Sequence, residues 1–210
     1  MPSIKKVTKK DIIACCIDII KSEGIAGINA RSVAKKLNCS TQPIYYLYAN
    51  IDEMKNDVMG EIFKIFKQSM MKKHNNMLDY KDIGINFINF ASKEPILFNL
   101  LFKNSMQNEI KDFLNLTGEY EDIYDLIYCQ TGLSRENAQN FHMRMWLYVN
   151  GIASFISNNN YTFSQKEIGK LLKDQYTSMI MLEMKNGNVD KKVLNTLLKN
   201  NLKQSKDNDK

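Results

Sequence analysis

The chain is short of most residues that announce chemistry: three prolines, nine glycines, two histidines, four cysteines and one tryptophan in 210 residues. Each scarcity excludes something. Pro occurs only as Pro2, Pro43 and Pro95, so long stretches lack the residue that interrupts helices most strongly. No glycine-rich run offers a phosphate-cradling loop, and no Gly-flanked serine forms a nucleophile elbow. His74 and His142 lie far apart, and neither has Cys or Glu at ligand spacing. Cys15, Cys16, Cys39 and Cys129 show neither metal spacing nor a disulfide framework, which fits small reduced, buried thiols. No metal, cofactor or catalytic constellation is expected, and so no enzyme. No apolar run approaches the roughly 18 residues needed to span a bilayer, and the N-terminus lacks the apolar stretch of a signal peptide. A cytoplasmic protein without a membrane partner is expected.

What is present is charge, unevenly placed. The formal net charge is +6. Residues 1–50 carry eight Lys/Arg against three acids, residues 51–190 fifteen against eighteen, and residues 191–210 six against two. A basic front on a slightly acidic body is the footprint of a nucleic-acid-binding head on a part that need not touch the polyanion.

Residues 29–48 sharpen that reading into two short helices joined by a tight turn. Asn29 caps the first, with Val33, Ala34 and Leu37 on its inner face. Asn38 takes the turn position that needs a left-handed backbone. Ser40 is the expected cap of the second helix, with Pro43 tolerated in its first turn because N–H groups there have no intrahelical partner. Upstream, Thr8 to Asp11 reads as a capping box opening a helix with Ile13, Cys16, Ile17 and Ile20 inside, stopped by Gly24. Downstream, Asn50 caps a long helix whose inner positions are Met54, Val58, Ile62, Ile65 and Phe66.

This order of helices resembles the DNA-binding domain of the TetR family of bacterial transcriptional regulators. The carriers are Gly24, the Ala30 to Ala34 run, Ser40, the Ile44-Tyr45-Tyr46-Leu47-Tyr48 block and Asn50, over about residues 5–60. The resemblance implies a head at 1–50 extending into a connecting helix to about 74, a regulatory and dimerisation domain at 75–203, and a disordered tail at 204–210. It implies that Thr41, Gln42, Pro43 and Tyr45 lie at the major groove, with Ser40 also among the DNA-binding residues. Gln42 suits a bidentate pair with adenine, and Thr41 and Pro43 suit thymine methyls. Tyr45 and Tyr46 suit phosphates through their hydroxyls, with one ring partly buried. Arg31 is a candidate for a guanine or a phosphate. Ile44 and Tyr48 are expected in the core. Leu47 stands where many relatives carry His, and Ile51 where a phosphate-binding Lys is common; Lys55 partly substitutes.

The remainder reads as helices throughout, giving an all-α fold. Helices are expected at Tyr80–Lys93, after the Glu94-Pro95 break, at Glu109–Leu116, Glu119–Thr131, from Ser134 to about Ser157, and after a second capping box at Ser164 to Glu167. In the helix after Ser134, the positions Ala138, Phe141, Met145, Tyr148, Ile152 and Phe155 alternate three and four apart, as in a coiled-coil seam. The segment from Trp146 to Asn150-Gly151 resembles a Trp…His-Gly motif of one group of TetR-type C-terminal domains, with Asn150 in place of the histidine.

The resemblance also implies a homodimer, with Phe141, Tyr148, Ile152, Phe155, Leu172 and Met179 at the interface, binding a palindromic double-stranded DNA operator. Phe87, Phe90, Phe98, Phe102, Tyr124, Tyr128 and Trp146 are candidates to line a pocket for a small apolar effector that releases DNA. The alternative is a DNA-binding regulator with no small-molecule ligand, controlled by a protein partner or by abundance.

Overall fold

The computed structural model describes residues 7–72, 79–103 and 123–190. The turn expected at residues 74–76, the helix expected at 109–116, the first residues of the one expected at 119–131, and the 204–210 tail lie outside them. Among the described residues every regular element is helical apart from one isolated bridge pairing Leu133 with Val189. In chain order the helices are α1 (Lys9–Glu23), a 3-10 turn (Ile25–Gly27), α2 (Ala30–Lys36), α3 (Gln42–Leu47), α4 (Ile51–Met70), α5 (Tyr80–Lys93), α6 (Pro95–Lys103), α7 (Ile123–Thr131), α8 (Arg135–Ser157) and α9 (Gln165–Lys185).

Local chemistry sets most of these ends. Thr8 accepts the N–H of Asp11 while the Asp11 carboxylate takes the N–H of Thr8, which opens α1. Gly24 closes it at φ 76°, a conformation that costs a side-chain-bearing residue dearly. Three residues on, the chain passes so close to α1 that a Cβ on Gly27 would lie 2.9 Å from Cβ of Glu23. Asn29 and Asn50 cap α2 and α4, and Asp79 caps α5, a signal not read from the sequence. Pro95 starts α6 after Glu94 breaks the helical run, as expected.

The head packs α1, α2 and α3 around Ile12, Cys16, Ile20, Val33, Ala34, Ile44 and Tyr48, all buried. Ile13, expected inside, is only half-buried; Ile12 and Ile19 take the core positions on that helix. Cys15 and Cys16 are both buried, and burial pushes the Cys16 thiol up to about 12. Cys39 is half-buried and Cys129 exposed, so the expectation of buried thiols fails at Cys129.

α4 belongs to both halves. Met54 and Val58 lie in its buried face near the head, where it packs on α1; Phe66 and Met70 lie where it packs on α5 and α6. The Phe66 ring meets Phe90 at 5.2 Å, Phe102 at 5.5 Å and Phe87 at 6.0 Å between centroids, an edge-on aromatic cluster. The buried amide of Asn86 on α5 donates to the carbonyls of Met70 (2.9 Å) and Lys72 (2.7 Å), satisfying the end of α4.

α8 runs through the middle of the bundle against α5, α6, α7 and α9. Its buried stripe is Ala138, Phe141, His142, Met145, Val149, Ala153 and Ile156. The expected seam holds only as far as Met145. Beyond it Tyr148 and Ile152 are half-buried and Phe155 is exposed, because a straight helix drifts away from a 3.5-residue repeat and α8 is packed inside the protomer. The N–H of Asn188 returns to Glu183 and that of Gly187 to Met184, closing α9, and the Glu183 carboxylate pairs with Arg144 on α8.

Candidate functional site

Two places concentrate features that a packed core does not require: the outer face of α3 and a cavity in the bundle.

α3 is six residues long, so its orientation comes from what flanks it. The α2–α3 turn closes when the N–H of Cys39 returns to the carbonyl of Ala34 and that of Asn38 to Lys35, with Asn38 at φ 53°. Ile44 and Tyr48 are buried and pin the inner face. Lys9 reaches from α1 to lie 4.3 Å over the Tyr48 ring, while pairing with Asp57 at 3.4 Å and Glu53 at 3.6 Å on α4. These contacts tie α1, α3 and α4 together at one corner. Lys9 is thereby engaged inside the head.

Ser40 is not the cap of α3. The helix begins at Gln42, the capping position falls on Thr41, and no side-chain oxygen takes a first-turn N–H there. Ser40 is an exposed turn residue. Gln42, Tyr45 and Tyr46 form one exposed face, with Tyr45 58% and Tyr46 83% exposed. Tyr45 is the more covered of the two rings, though both are exposed, and Ile44 and Tyr48 occupy the core positions of the helix. Thr41 and Pro43 are half-buried beside that face. Arg31 is exposed at the start of α2, and Lys55 is half-buried in the first turns of α4.

The cavity holds about 320 Å³ between α5, α8 and α9. Its wall includes Tyr80, Phe87, Trp146 and Tyr176, with His142 among them. Of the seven expected pocket residues, only Phe87 and Trp146 line it. Phe90, Phe98 and Phe102 are spent on the aromatic cluster around Phe66 and Phe87. Tyr124 lies behind the wall with its ring 6.0 Å from that of His142, and Tyr128 is 44% exposed. Sequence reasoning missed Tyr80, His142 and Tyr176. Spacing tests His142 only as a metal ligand, yet it sits four residues after Ala138 and three before Met145 on a buried stripe.

His142 is buried, and its Nδ1 lies 2.8 Å from the Tyr80 hydroxyl. Its Nε2 has no hydrogen-bond partner among the described residues. Burial holds the imidazole well below its ordinary range, at about 4, so the ring is neutral. Burial also raises Tyr80 far above the usual phenol range and Tyr176 to about 12.

The expected interface residues divide in two. Phe141, Leu172 and Met179 are core residues of the protomer, closed off by α5, α8 and α9, and cannot meet a second copy. Tyr148, Ile152 and Phe155 border the outer face of α8. Along that face Met143, Leu147 and Phe155 are exposed four or eight residues apart, with open space above Gly151. Met181, Leu182 and Met184 are exposed on α9. Among the described residues no three His, Cys, Asp or Glu side chains gather as metal ligands, and no helix is long and apolar enough to cross a membrane.

No family model matches the chain, and no curated protein matches it in sequence. Solved structures match its architecture. A TetR-like transcriptional regulator from Rhodococcus sp. RHA1 superposes with a TM-score of 0.58 at 13% identity, covering 82% of this chain and 95% of that one. A TetR-family regulator from Haemophilus influenzae gives 0.56 at 16% identity over 80% and 94%, and a TetR-family member from Streptomyces coelicolor gives 0.54 at 12% over 80% and 96%. The chain has the all-helical fold of the TetR-type regulators, with a helix-turn-helix head and a helical bundle behind it.

Proposed function

We propose that this protein is a DNA-binding transcriptional regulator of the TetR type, acting as a homodimer on a palindromic operator and released by a small molecule held in the bundle. One observation carries the reading. α3 is too short to be stable alone, is pinned from behind by Ile44 and Tyr48, and presents Gln42, Tyr45 and Tyr46 outward from a basic head. Gln42 reads adenine; Thr41 and Pro43 flank it toward thymine methyls; Tyr45, Tyr46, Arg31 and Lys55 position the head on phosphates. The fold shared with regulators supports this assignment.

The exposed apolar stripe Met143, Leu147 and Phe155 on α8, and the exposed Met181, Leu182 and Met184 on α9, support a dimer. A single six-residue reader makes too few base contacts for specificity, and a pair on one axis doubles them. The cavity supports a ligand-controlled regulator over one governed by abundance alone.

Selection of bound sequences from a random DNA pool tests the assignment. The wild-type protein should enrich an inverted repeat, and Gln42→Ala should relax one position in each half-site at a cost of about 1–3 kcal/mol. Leu147→Asp should give monomers by light scattering and lose the inverted repeat. A pool left unenriched by well-folded wild-type protein would sink the reading.

A further inference from the structure

The wall of the cavity has committed its acceptors and kept its donors. Asp79, the cap of α5, takes the N–H of Lys81 at 2.9 Å and that of Asp82 on its carboxylate. The side-chain carbonyl of Gln130 on α7 takes the N–H of Tyr80 at 3.2 Å, which leaves the Gln130 NH2 to donate. The Tyr80 hydroxyl and Nδ1 of His142 satisfy each other at 2.8 Å, and Nε2 of His142 is closed off and takes no part. Left over are the Gln130 NH2, the Tyr176 hydroxyl and the ammonium groups of Lys81 and Lys173. None of these has a hydrogen-bond or ion-pair partner among the described residues.

These groups gather at one end of the cavity. Lys81 lies in the first turn of α5. The Tyr176 ring is 6.4 Å from that of Tyr80, and a Cβ on Gly84 would lie 3.5 Å from Leu172, so Lys173 on α9 is level with the first turns of α5. Asp79, Lys81 and Lys173 are exposed, whereas Phe87, Val149 and Leu172 toward the other end are buried. Resting on the reading that the bundle holds a small molecule, we propose that the cavity takes an amphipathic anion. Its compact apolar body lies toward Phe87 and Trp146, and its carboxylate stays at the mouth with Lys81 and Lys173. Two uncommitted ammonium groups stand there against one carboxylate already held by two N–H groups, so the charge favours an anion over a cation. At an exposed mouth the carboxylate keeps part of its hydration, which a deeper position would strip. A volume of about 320 Å³, near the small end of ligand sites, suits a compact body.

Three probes of one shape separate the chemistries near neutral pH: naphthoate, an anion; naphthamide, neutral; and naphthylmethylammonium, a cation. In calorimetric titration of the full-length protein at low salt, naphthoate should bind about 10-fold more tightly than naphthamide, the worth of two exposed ion pairs. The cation should bind no more tightly than the amide. Raising salt from about 0.05 M to about 0.5 M should remove most of the naphthoate advantage and leave naphthamide unchanged. Lys81→Gln and Lys173→Gln should each weaken naphthoate about 3-fold, and together abolish the preference, with naphthamide unaffected. Both lysines are exposed, so the fold is expected to tolerate these changes. Lys166→Gln removes an equally exposed charge from α9 outside the wall and should change neither affinity, which separates the mouth from the protein's overall positive charge.

Equal affinities for naphthoate and naphthamide, tighter binding of the cation, a preference that survives in the double variant, or no binding of any probe would each overturn the proposal. None of these outcomes touches DNA selection, which stands or falls on its own assay. If naphthoate is preferred but leaves affinity for the selected DNA unchanged, the ligand class is upheld and control of DNA binding by this cavity falls.

Discussion

In the head, the buried side chains of α1 to α3 serve one task, fixing the angle of a six-residue helix, and both α1 and α2 open on a side-chain cap. In the bundle, a cluster of phenylalanines packs tightly on one side of α5, and on the other side the same helix borders empty space and an unsatisfied histidine. Phe87 takes part in both. The head is specified by contacts close in sequence and leaves little to adjust. The bundle is specified by contacts between distant segments and keeps one part of its interior adaptable. α4 is the element they share, so the contrast can be tested through it.

The largest expected effect comes from that shared helix. Phe66→Ala should cost about 3–5 kcal/mol in urea denaturation, because it empties a fully buried ring site in contact with the rings of Phe63, Phe87, Phe90 and Phe102. Head and bundle should lose structure in one transition. Two separated transitions would show that they are independent units and that the comparison is between domains, not between regions of one core.

A smaller effect concerns acid. The folded pKa of His142 lies near 4 and the unfolded value near 6.5, so the unfolded chain binds more protons between those limits. Stability from this group is complete above pH 6.5 and falls on acidification through that window, by up to roughly 1.4 kcal/mol per pH unit. His142→Phe should flatten the slope of thermal stability from about pH 6.5 to roughly 4.5 relative to the wild type. An unchanged slope would mean that the ring is not held neutral by burial. No comparable window is expected from the head, whose described residues include no histidine.

The smallest effect tests the head's turn. Asn38→Ala places a residue with no local hydrogen-bonding side chain at φ 53° and should cost about 1 kcal/mol, whereas Asn38→Gly should be tolerated. If both variants lowered stability equally, the left-handed turn would not be what fixes the start of α3.

The head is largely legible in the sequence because its signals are local. Thr8, Gly24, Asn29, Asn38 and Asn50 each act within a few residues of themselves. Ser40 misleads for the same reason: a good cap residue stands one place before the position that the turn geometry uses. In the bundle, the bounds of α5 and the break at Glu94 are legible from periodicity and Pro95. The cavity is not. Phe90, Phe98 and Phe102 have helical spacing like Phe87 and the same composition, and which of them faces a void depends on how α5, α8 and α9 cross. The seam on α8 fails past Met145 because a heptad pattern names an apolar stripe without saying whether the protomer or a second copy covers it. His142 carries a usable signal, since a lone histidine in register with Ala138 and Met145 must either be satisfied or serve a ligand.

The two carbonyl bonds made by Asn86 turn α4 into a lever with a clamped end. Twenty residues at about 1.5 Å each give an arm of about 30 Å from that clamp to the cap at Asn50, just after α3. Asn86 immediately precedes Phe87 in the cavity wall, so a ligand that shifts α5 moves the clamp itself. A tilt of about 5° at the clamp sweeps the far end through roughly 2–3 Å over such an arm. In the proposed homodimer, two heads displaced by that much in opposite directions would no longer match half-sites about 34 Å apart at both grooves at once.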